Sequence, residues 1–331
     1  MSQGSSRTLI LIVVAGLSTA VGAQTAPKDA AYPSKPIRLV VTFPPGGTPD
    51  SQARMMTEDL SKRLGQQIVV ENRSGATGTI GMEFVAKAPP DGYTLVITTS
   101  ATWAVTPHLS KLPYDTVADF APIIYVATTP GVLIVHPSVP ARTVKELVTL
   151  AKRRPGELNY GSAGAGGYGH VSAELFAILT MIKMTNVAYK GSGPLLTDLL
   201  GGHLHMAFNS ALPAVPYIRS GRLRGLATTG LVRLAALPEL PTIAESGVPG
   251  YESATWTGIA APARTPQSVI ERLNREIAAV LQIPRIQERF LASGSTITGG
   301  TPAQFQDYLR SELAKYGRVV KEAGIKPDSG G

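Results

Sequence analysis

One stretch of the chain decides the fold, and it reads IRLVVTFPPGGTPD over residues 37–50. The segment 37–42, apolar except for Arg38 and Thr42, is typical of a buried strand, and the amphipathic pattern over 50–64 predicts a helix. A turn rich in Pro and Gly joins the two. Strand–turn–helix units of this kind build mainly parallel sheets that are covered by helices on both faces.

The same alternation continues along the chain, which indicates an α/β protein. Strands are predicted over 68–70, 94–97, 158–160, 185–189, 205–208 and 223–228. Helices are predicted over 80–88, 143–154, 170–180, 195–200 and 214–219. The helix from 143 begins with the capping box Thr143-Val144-Lys145-Glu146.

Length and composition narrow the class of protein. The 331 residues suggest two domains, and 44% hydrophobic with 16% charged residues excludes a disordered chain or a coiled coil. The chain has no cysteine, which excludes disulfide scaffolds, thiolate nucleophiles and iron–sulfur clusters. The net charge of +8 is dispersed and no motif supports nucleic-acid binding.

The N-terminus predicts export. Residues 1–7 carry one positive charge, residues 9–17 are apolar, and Val21-Gly22-Ala23 is a small-residue cleavage site. This order is typical of a secretory signal peptide over 1–23, and the apolar run is short for a membrane span. A retained N-terminal anchor is the alternative. We therefore expect a soluble mature protein in the periplasm.

The end of the chain predicts a discontinuous domain. Two long helices, 266–282 and 302–322, each follow a Thr-Pro pair and are expected to pack back on the first domain. The segments 123–135 and 251–262 are extended and are expected to cross between the domains. The prediction is a first domain of 24–128 and 254–331 and a second domain of 129–253.

The loop 43–50 is the first candidate binding site. Its prolines donate no amide hydrogen, so Gly46, Gly47, Thr48 and Asp50 supply the backbone donors of the turn. Exposed amides at a helix N-terminus form a cradle for an anion. The alternative is a rigid turn in which Thr48 and Asp50 only cap the helix.

The loop 161–170 is the second candidate. It contains GAGGYG over 164–169, a formal match to a dinucleotide fingerprint, but the strand expected next ends in Lys190 rather than in an acidic residue. The loop is better interpreted as a second acceptor for a polar or anionic ligand, in which Ser162 and the amides before His170 take part. A flexible surface loop is the alternative.

Catalytic signals are weak, so we predict no enzyme, no metal and no cofactor. The chain has no Gly-x-Ser-x-Gly, His-Glu-x-x-His or phosphate-loop motif. His203 and His205 are two residues apart and are expected on one face of a strand, but without a third metal ligand they are interpreted as polar residues at a strand edge. An exported enzyme with a reactive Ser162 or His170 remains the rival interpretation.

Several segments resemble one family, the tripartite tricarboxylate receptors, which are Bug-type extracytoplasmic solute-binding proteins. They are YPSKPIRLVV (32–41), FPPGG (43–47), VENR (70–73), AKAPPDGYTL (86–95), YKGSGP (189–194), TDLLGG (197–202), LPELPT (237–242) and AGIKP (323–327). The resemblance implies an α/β, two-domain periplasmic-binding-protein-like (type II) fold with an interdomain ligand cleft.

The resemblance also implies a ligand and partners. The ligand is expected to be a small organic acid or an amino-acid-like carboxylate. The closed form would be presented to the membrane components of a tripartite tricarboxylate-type transporter or to a sensor kinase, and the protein would act as a monomer. The binding residues carried over from the family are Thr42, Phe43, Gly46, Gly47 and Asp50 from the first loop, and Ser162, Ala163, Gly166 and Gly167 from the second.

Two positions qualify this interpretation. Asn209 follows Phe208 where many relatives have Asp, and a neutral amide there would repel an anion less and could donate to it. Trp103 follows the third strand and is either an apolar wall of the ligand site or a core residue.

Overall fold

The structure is a computed structural model that describes residues 1, 32–162, 164, 166–189 and 191–326. Residues 2–23 of the predicted signal peptide and the predicted site residue Ala163 lie outside the described residues. Within the described part, no helix is long and apolar enough to cross a membrane.

Strands and helices alternate, as predicted. The strands are β1 (Ile37–Val41), β2 (Ile68–Asn72), β3 (Thr94–Thr99), β4 (Phe120–Val135), β5 (Asn159–Ser162), β6 (Thr185–Ala188), β7 (Met206–Ser210), β8 (Arg224–Thr228), β9 (Ala254–Pro262) and β10 (Thr296–Gly299). The helices are α1 (Thr48–Leu64), α2 (Thr79–Ala86), α3 (Thr106–Leu109), α4 (Val144–Arg153), α5 (Tyr168–Thr180), α6 (Ser192–Leu200), α7 (Ala211–Arg219), α8 (Gln267–Leu281), α9 (Pro284–Ala292) and α10 (Pro302–Ala323).

The strand order is β2-β1-β3-β9-β4-β7-β5-β6, and β8 and β10 also pair with β4. The outer strands are parallel: β1 with β2 and β3, and β5 with β6 and β7. The central strands are antiparallel, because β9 pairs antiparallel with β3 and β4, and β4 with β7 and β8. The expectation of mainly parallel pairing is therefore wrong at the centre, where β4 and β9 run antiparallel to the strands beside them.

Strand β4 is unusually long, and its partners change half-way. Residues 120–130 pair with β9, and residues 131–135 pair with β7 and β8. The segments that were expected to cross, 123–135 and 251–262, are largely the strands β4 and β9. The domain boundaries at 128/129 and 253/254 stay a prediction.

An aromatic cluster forms the core beneath β4 and β9. Trp103 is fully buried, its ring lies edge-on to Phe305 at 5.3 Å and to Phe120 at 6.1 Å, and its Nε1 donates to the carbonyl of Thr116. Of the two alternatives for Trp103 the structure supports the core residue, because the side chain is fully buried against the rings of Phe120, Trp256 and Phe305.

The local helix signals were mostly right. Thr143 Oγ1 accepts from the amide of Glu146, and Thr301 forms a reciprocal capping box with Gln304. Thr265 does not cap α8, since its hydroxyl donates to the carbonyl of Pro262 and the helix begins one residue later than expected. The sequence interpretation also missed α9 and β10, which lie between the two long helices.

Candidate ligand-binding cleft

The carboxyl ends of the strands converge where β4 changes partners. Thr99 at the end of β3 lies opposite Thr257, and Asn209 near the end of β7 lies opposite Val132. Both strands therefore run towards residues 130–131 of β4, from opposite sides. In open α/β sheets this is where ligands bind, since loops and helix N-termini gather at the carboxyl edge.

The first predicted loop is held together by the carboxylate of Asp50. This side chain is 3% exposed, and it accepts from the amide of Gly46 at 2.9 Å, from Asn72 Nδ2 at 2.8 Å and from Arg54 Nε at 3.0 Å. Burial by itself would raise the pKa of Asp50, but the hydrogen bonds from Arg54, Gly46 and Asn72 together lower the pKa below its usual value. Asp50 is thus an ionised anchor of the loop.

The donors of this loop differ from the expected set. The amide of Gly46 is bonded to Asp50, and the amide of Gly47 donates to the carbonyl of Pro44 at 3.2 Å. Gly46 has a φ of +83°, a backbone conformation that favours glycine. The amides of Thr48 and Asp50, in the first turn of α1, have no intrahelical partner and lie at the positive end of the helix dipole. The loop therefore offers an anion the amides of the helix rather than those of the two glycines.

Thr42 and Phe43 support the loop from beneath. Thr42 is 1% exposed and its Oγ1 lies 2.7 Å from Thr98 Oγ1, while the carbonyl of Phe43 accepts from Asn72 Nδ2 at 3.0 Å. Thr42 thereby joins the ends of β1 and β3. Whether these two residues touch a ligand stays a prediction.

The second predicted loop resembles the first, because its glycine amides are also bonded within the turn. Gly167 precedes α5 without a side-chain cap, and its amide donates to the carbonyl of Gly164 at 3.2 Å. The amide of Gly166 donates to His170 Nδ1 at 3.3 Å. The first-turn amides of Tyr168 and Gly169 have no intrahelical partner. Here too the glycines shape the turn, and the helix N-terminus supplies the donors.

Gly166 also places the loop against the other side of the cleft. It has a φ of +67°, and a Cβ at this position would overlap the side chain of Leu109 in α3. The close approach between this loop and α3 therefore requires glycine. Ala163 and Ala165, within the same loop, lie outside the described residues.

Three buried polar atoms at the strand ends have no hydrogen-bond partner among the described residues: Thr99 Oγ1, Ser162 Oγ and Asn209 Nδ2. The three residues are 5%, 0% and 4% exposed, so water is largely excluded from them. A buried polar group without a partner costs about 1–3 kcal/mol. Three such groups at the ends of β3, β5 and β7 are therefore the strongest structural indication of a polar ligand.

Thr99 was missed by the sequence interpretation. It pairs with Thr257, so the two side chains share one face of the sheet, and Thr257 Oγ1 donates to Gln52 Oε1 of α1. Thr99 therefore lies on the α1 side of the cleft. The polar run Thr98-Thr99-Ser100 at the end of an apolar strand was the signal that would have found it.

The candidates for metal binding and catalysis do not assemble. His205 lies just before β7, and its Nδ1 is 2.7 Å from Asn159 Oδ1. Among the described residues, no group of three His, Asp or Glu side chains is placed to hold a metal ion. Asp198, the carboxylate that a catalytic role for Ser162 would call on as a base, accepts from the hydroxyl of Tyr189 at 2.7 Å, and in the described part of the chain it makes no hydrogen bond to the Ser162 hydroxyl.

A separate hollow of about 800 Å³ lies beside the cleft, between α7 and α9. Leu212, Val232 and Leu291 contribute large exposed apolar side chains to its lining. The two arginines of the lining, Arg219 and Arg233, already donate to the carbonyl of Ala236 and to the carboxylate of Glu245. The buried polar atoms at the strand ends are therefore the stronger candidate site for a carboxylate.

A sheet whose two halves are joined by crossing strands, with two helix N-termini and buried polar atoms gathered at the crossing, is the arrangement of a solute-binding protein. The sequence profile of the "Tripartite tricarboxylate transporter family receptor" family matches residues 52–325. The chain belongs to this family, whose members are extracytoplasmic receptors of solutes rather than enzymes.

Individual relatives agree with this assignment. The chain is 37% identical to Protein BugT of Bordetella pertussis over 319 residues, which cover 96% of each chain. The solved structure of R. palustris Rpa4515 with adipate is 40% identical, with a TM-score of 0.74, and covers 89% of this chain and 99% of its own. MatC from Rhodopseudomonas palustris, with bound malate, is 29% identical, with a TM-score of 0.70, and covers 87% and 100%.

Proposed function

We propose that this chain captures a small dicarboxylate between two closing lobes, residues 24–128 with 254–331 and residues 129–253, and presents the closed form to the membrane component of a tripartite transporter. The observation that carries this proposal is the set of unpartnered buried atoms on Thr99, Ser162 and Asn209. Two similar proteins hold adipate and malate, which share two carboxylates on a short carbon chain.

The size of the individual binding energies indicates that the lobes must close on the ligand. A helix N-terminus contributes about 0.3–1 kcal/mol to binding an anion, and up to about 2 kcal/mol when it is partly buried. A micromolar Kd needs about 8 kcal/mol. The N-termini of α1 and α5 together are therefore insufficient, and the remainder must come from the desolvated bonds of Ser162, Asn209 and Thr99. These bonds form together only when the lobes close, so the ligand shifts the population towards the closed form.

The proposed donors to the ligand are all neutral groups, which favours selection of the ligand by the spacing of its carboxylates. Asn209 Nδ2 can only donate, and a carboxylate can only accept. Hydroxyl donors at Ser162 and Thr99 add two further bonds without introducing a buried cation. We infer that the separation of the two carboxylates, and not the total charge, selects the ligand.

The test is a thermal-shift series on the mature protein with malate, glutarate and adipate, with adipamide as the uncharged match of adipate. At about 100 times its Kd, a ligand should stabilise the protein by about 2.7 kcal/mol. We expect one dicarboxylate to raise the Tm and adipamide to leave it unchanged. An equal shift with adipamide, or no shift with any dicarboxylate, would refute the proposed ligand class.

The rival functions give different outcomes in the same samples. A receptor returns its ligand unchanged after long incubation, whereas an enzyme with a reactive Ser162 or His170 converts it, and nuclear magnetic resonance of the supernatant separates the two. We propose a monomer in the periplasm that serves transport rather than a sensor kinase. Export predicts a mature protein that lacks residues 1–23, which intact mass spectrometry measures.

A further inference from the structure

The hydroxyl of Tyr168 joins the ligand loop to the chain segments where the sheet changes partners. Tyr168 is the first residue of α5, directly after Gly167 of the second loop. Its Oη lies 2.6 Å from Thr229 Oγ1 and 3.4 Å from the carbonyl of Ser253. Thr229 follows β8 and Ser253 precedes β9, and both residues are fully buried.

Thr229 completes the connection to β4. Its Oγ1 accepts from the amide of Gly131 at 2.8 Å and lies 3.2 Å from the carbonyl of Gly131, to which it donates. A hydroxyl has one donor and two acceptor positions, so a proton donated by Tyr168 fills the last position on Thr229. Burial raises the pKa of Tyr168 to about 12, so that its hydroxyl remains a proton donor at neutral pH.

Gly131 makes this arrangement possible. A Cβ at this residue would overlap both the Tyr168 hydroxyl and the carbonyl of Asn209. Gly131 is also the first residue of β4 that pairs with β7 rather than with β9. The phenol of Tyr168 therefore fits against the backbone at the point where the two halves of the sheet meet.

A second contact, one turn further along α5, strengthens the same connection. Ser172 Oγ lies 2.6 Å from Ser253 Oγ, and the hydroxyl of Tyr251 donates to the carbonyl of Ser172 at 3.1 Å. The first two turns of α5 are thus bonded to the segment that enters β9. A movement of these crossing segments carries the N-terminus of α5 with it.

We propose that Tyr168 is a positioning residue that couples the ligand loop to lobe closure, through its hydrogen bond to Thr229, which is in turn bonded to Gly131. This inference rests on the proposed function, because it requires two lobes that move relative to one another. Tyr168 positions the amides at the N-terminus of α5, and with them Ser162, relative to the crossing strands β4 and β9. These bonds lie within the proposed lobe 129–253, and Gly131 and Ser253 stand next to the two points where the chain crosses to the other lobe. Loss of the Tyr168 hydroxyl therefore loosens α5 relative to these crossing points, widens the range of lobe orientations and weakens ligand capture.

The test uses the absence of cysteine from the chain. Lys62→Cys in α1 and Lys152→Cys in α4 introduce two exposed sites for nitroxide labels, and double electron–electron resonance then gives the distribution of distances between the lobes. Tyr168→Phe should broaden this distribution in the ligand-free protein. It should also raise the Kd for adipate by about five- to tenfold, the effect of losing one hydrogen bond.

The controls separate coupling from a general loss of packing. Tyr189→Phe removes another tyrosine hydroxyl, one that is bonded to Asp198, and should leave the distribution unchanged. Thr229→Val removes the partner of Tyr168 and should reproduce the effect of Tyr168→Phe, so it provides the test if Tyr168→Phe folds poorly. Thr229→Ser keeps the hydroxyl and should behave as the wild type. An unbroadened distribution in both Tyr168→Phe and Thr229→Val overturns the proposal.

Failure of the proposed function has a different signature. If adipate and malate leave the distance distribution of the wild type unchanged, lobe closure on a dicarboxylate is refuted. A broadened distribution in Tyr168→Phe would then still support the coupling of α5 to the crossing strands. The ligand-free measurement therefore tests the coupling, and the measurement with ligand tests the function.

Discussion

Replacing Ser162 by Ala should affect stability and binding in opposite directions. Ser162 is fully buried, and its hydroxyl has no partner among the described residues. An unpartnered buried hydroxyl costs about 1–3 kcal/mol, and alanine removes the oxygen while it keeps the Cβ. The ligand-free variant should therefore be more stable than the wild type by about 1 kcal/mol, which corresponds to about 2 °C in Tm for a chain of this size.

The same substitution should weaken ligand binding. A hydrogen bond to a charged group contributes about 1.5–3 kcal/mol, so the loss of the Ser162 hydroxyl should raise the Kd for the dicarboxylate about ten- to hundredfold. The stability curves of the variant and the wild type should consequently cross as ligand is added. Denaturant unfolding without ligand measures the stability of the free protein, and unfolding with ligand measures how much the ligand stabilises it. Isothermal titration gives the Kd.

A matched control is Ser295→Ala. Ser295 is equally buried, but its hydroxyl lies 3.1 Å from Gln52 Nε2 and 2.9 Å from Thr129 Oγ1. Removal of this paired hydroxyl should destabilise the ligand-free protein by about 1 kcal/mol. The reasoning is wrong if Ser162→Ala destabilises the ligand-free protein as Ser295→Ala does, or if its Kd equals that of the wild type.

Three further predictions concern other positions. Asn209→Asp should weaken dicarboxylate binding at least tenfold in titration calorimetry, because a buried donor becomes an anion beside the ligand; tighter binding would show that Asn209 faces away from the charge. Asp50 has a pKa lowered from 3.8 when folded, so its contribution to stability is present above that value and is lost as the pH falls through the folded pKa. The difference in free energy of unfolding between the wild type and Asp50→Asn, measured by urea denaturation, should therefore become smaller from neutral pH towards pH about 3. A difference that does not change with pH would contradict the role of Asp50 as an ionised anchor. Gly258→Ala places a Cβ in the ring of Phe305 and should cost about 1–3 kcal/mol in urea unfolding, while a neutral effect would mean that this ring is loosely packed.

Much of the local structure could be predicted because it depends on neighbours in the sequence. The strand at 37–41 follows from a run that is apolar except for Arg38, and the start of α10 from the Thr301-Pro302 pair with Gln304 three residues after the cap. The two glycine-rich loops were located for the same reason. A turn that needs Gly46 in a left-handed conformation is visible in the residue types themselves.

The sequence by itself determined the α/β alternation, the positions of the two loops and the family resemblance. Only the tertiary structure decided which polar groups are already bonded and which remain for a ligand. Asp50 and Pro44 accept from the amides of Gly46 and Gly47, whereas the hydroxyl of Ser162 has no partner among the residues that the structure describes. The bonds of Gly46 and Gly47 are local, but other pairs at this site join segments far apart in the chain: Asp50 with Asn72, Thr42 with Thr98 and Tyr168 with Thr229. For that reason no local pattern could have identified them.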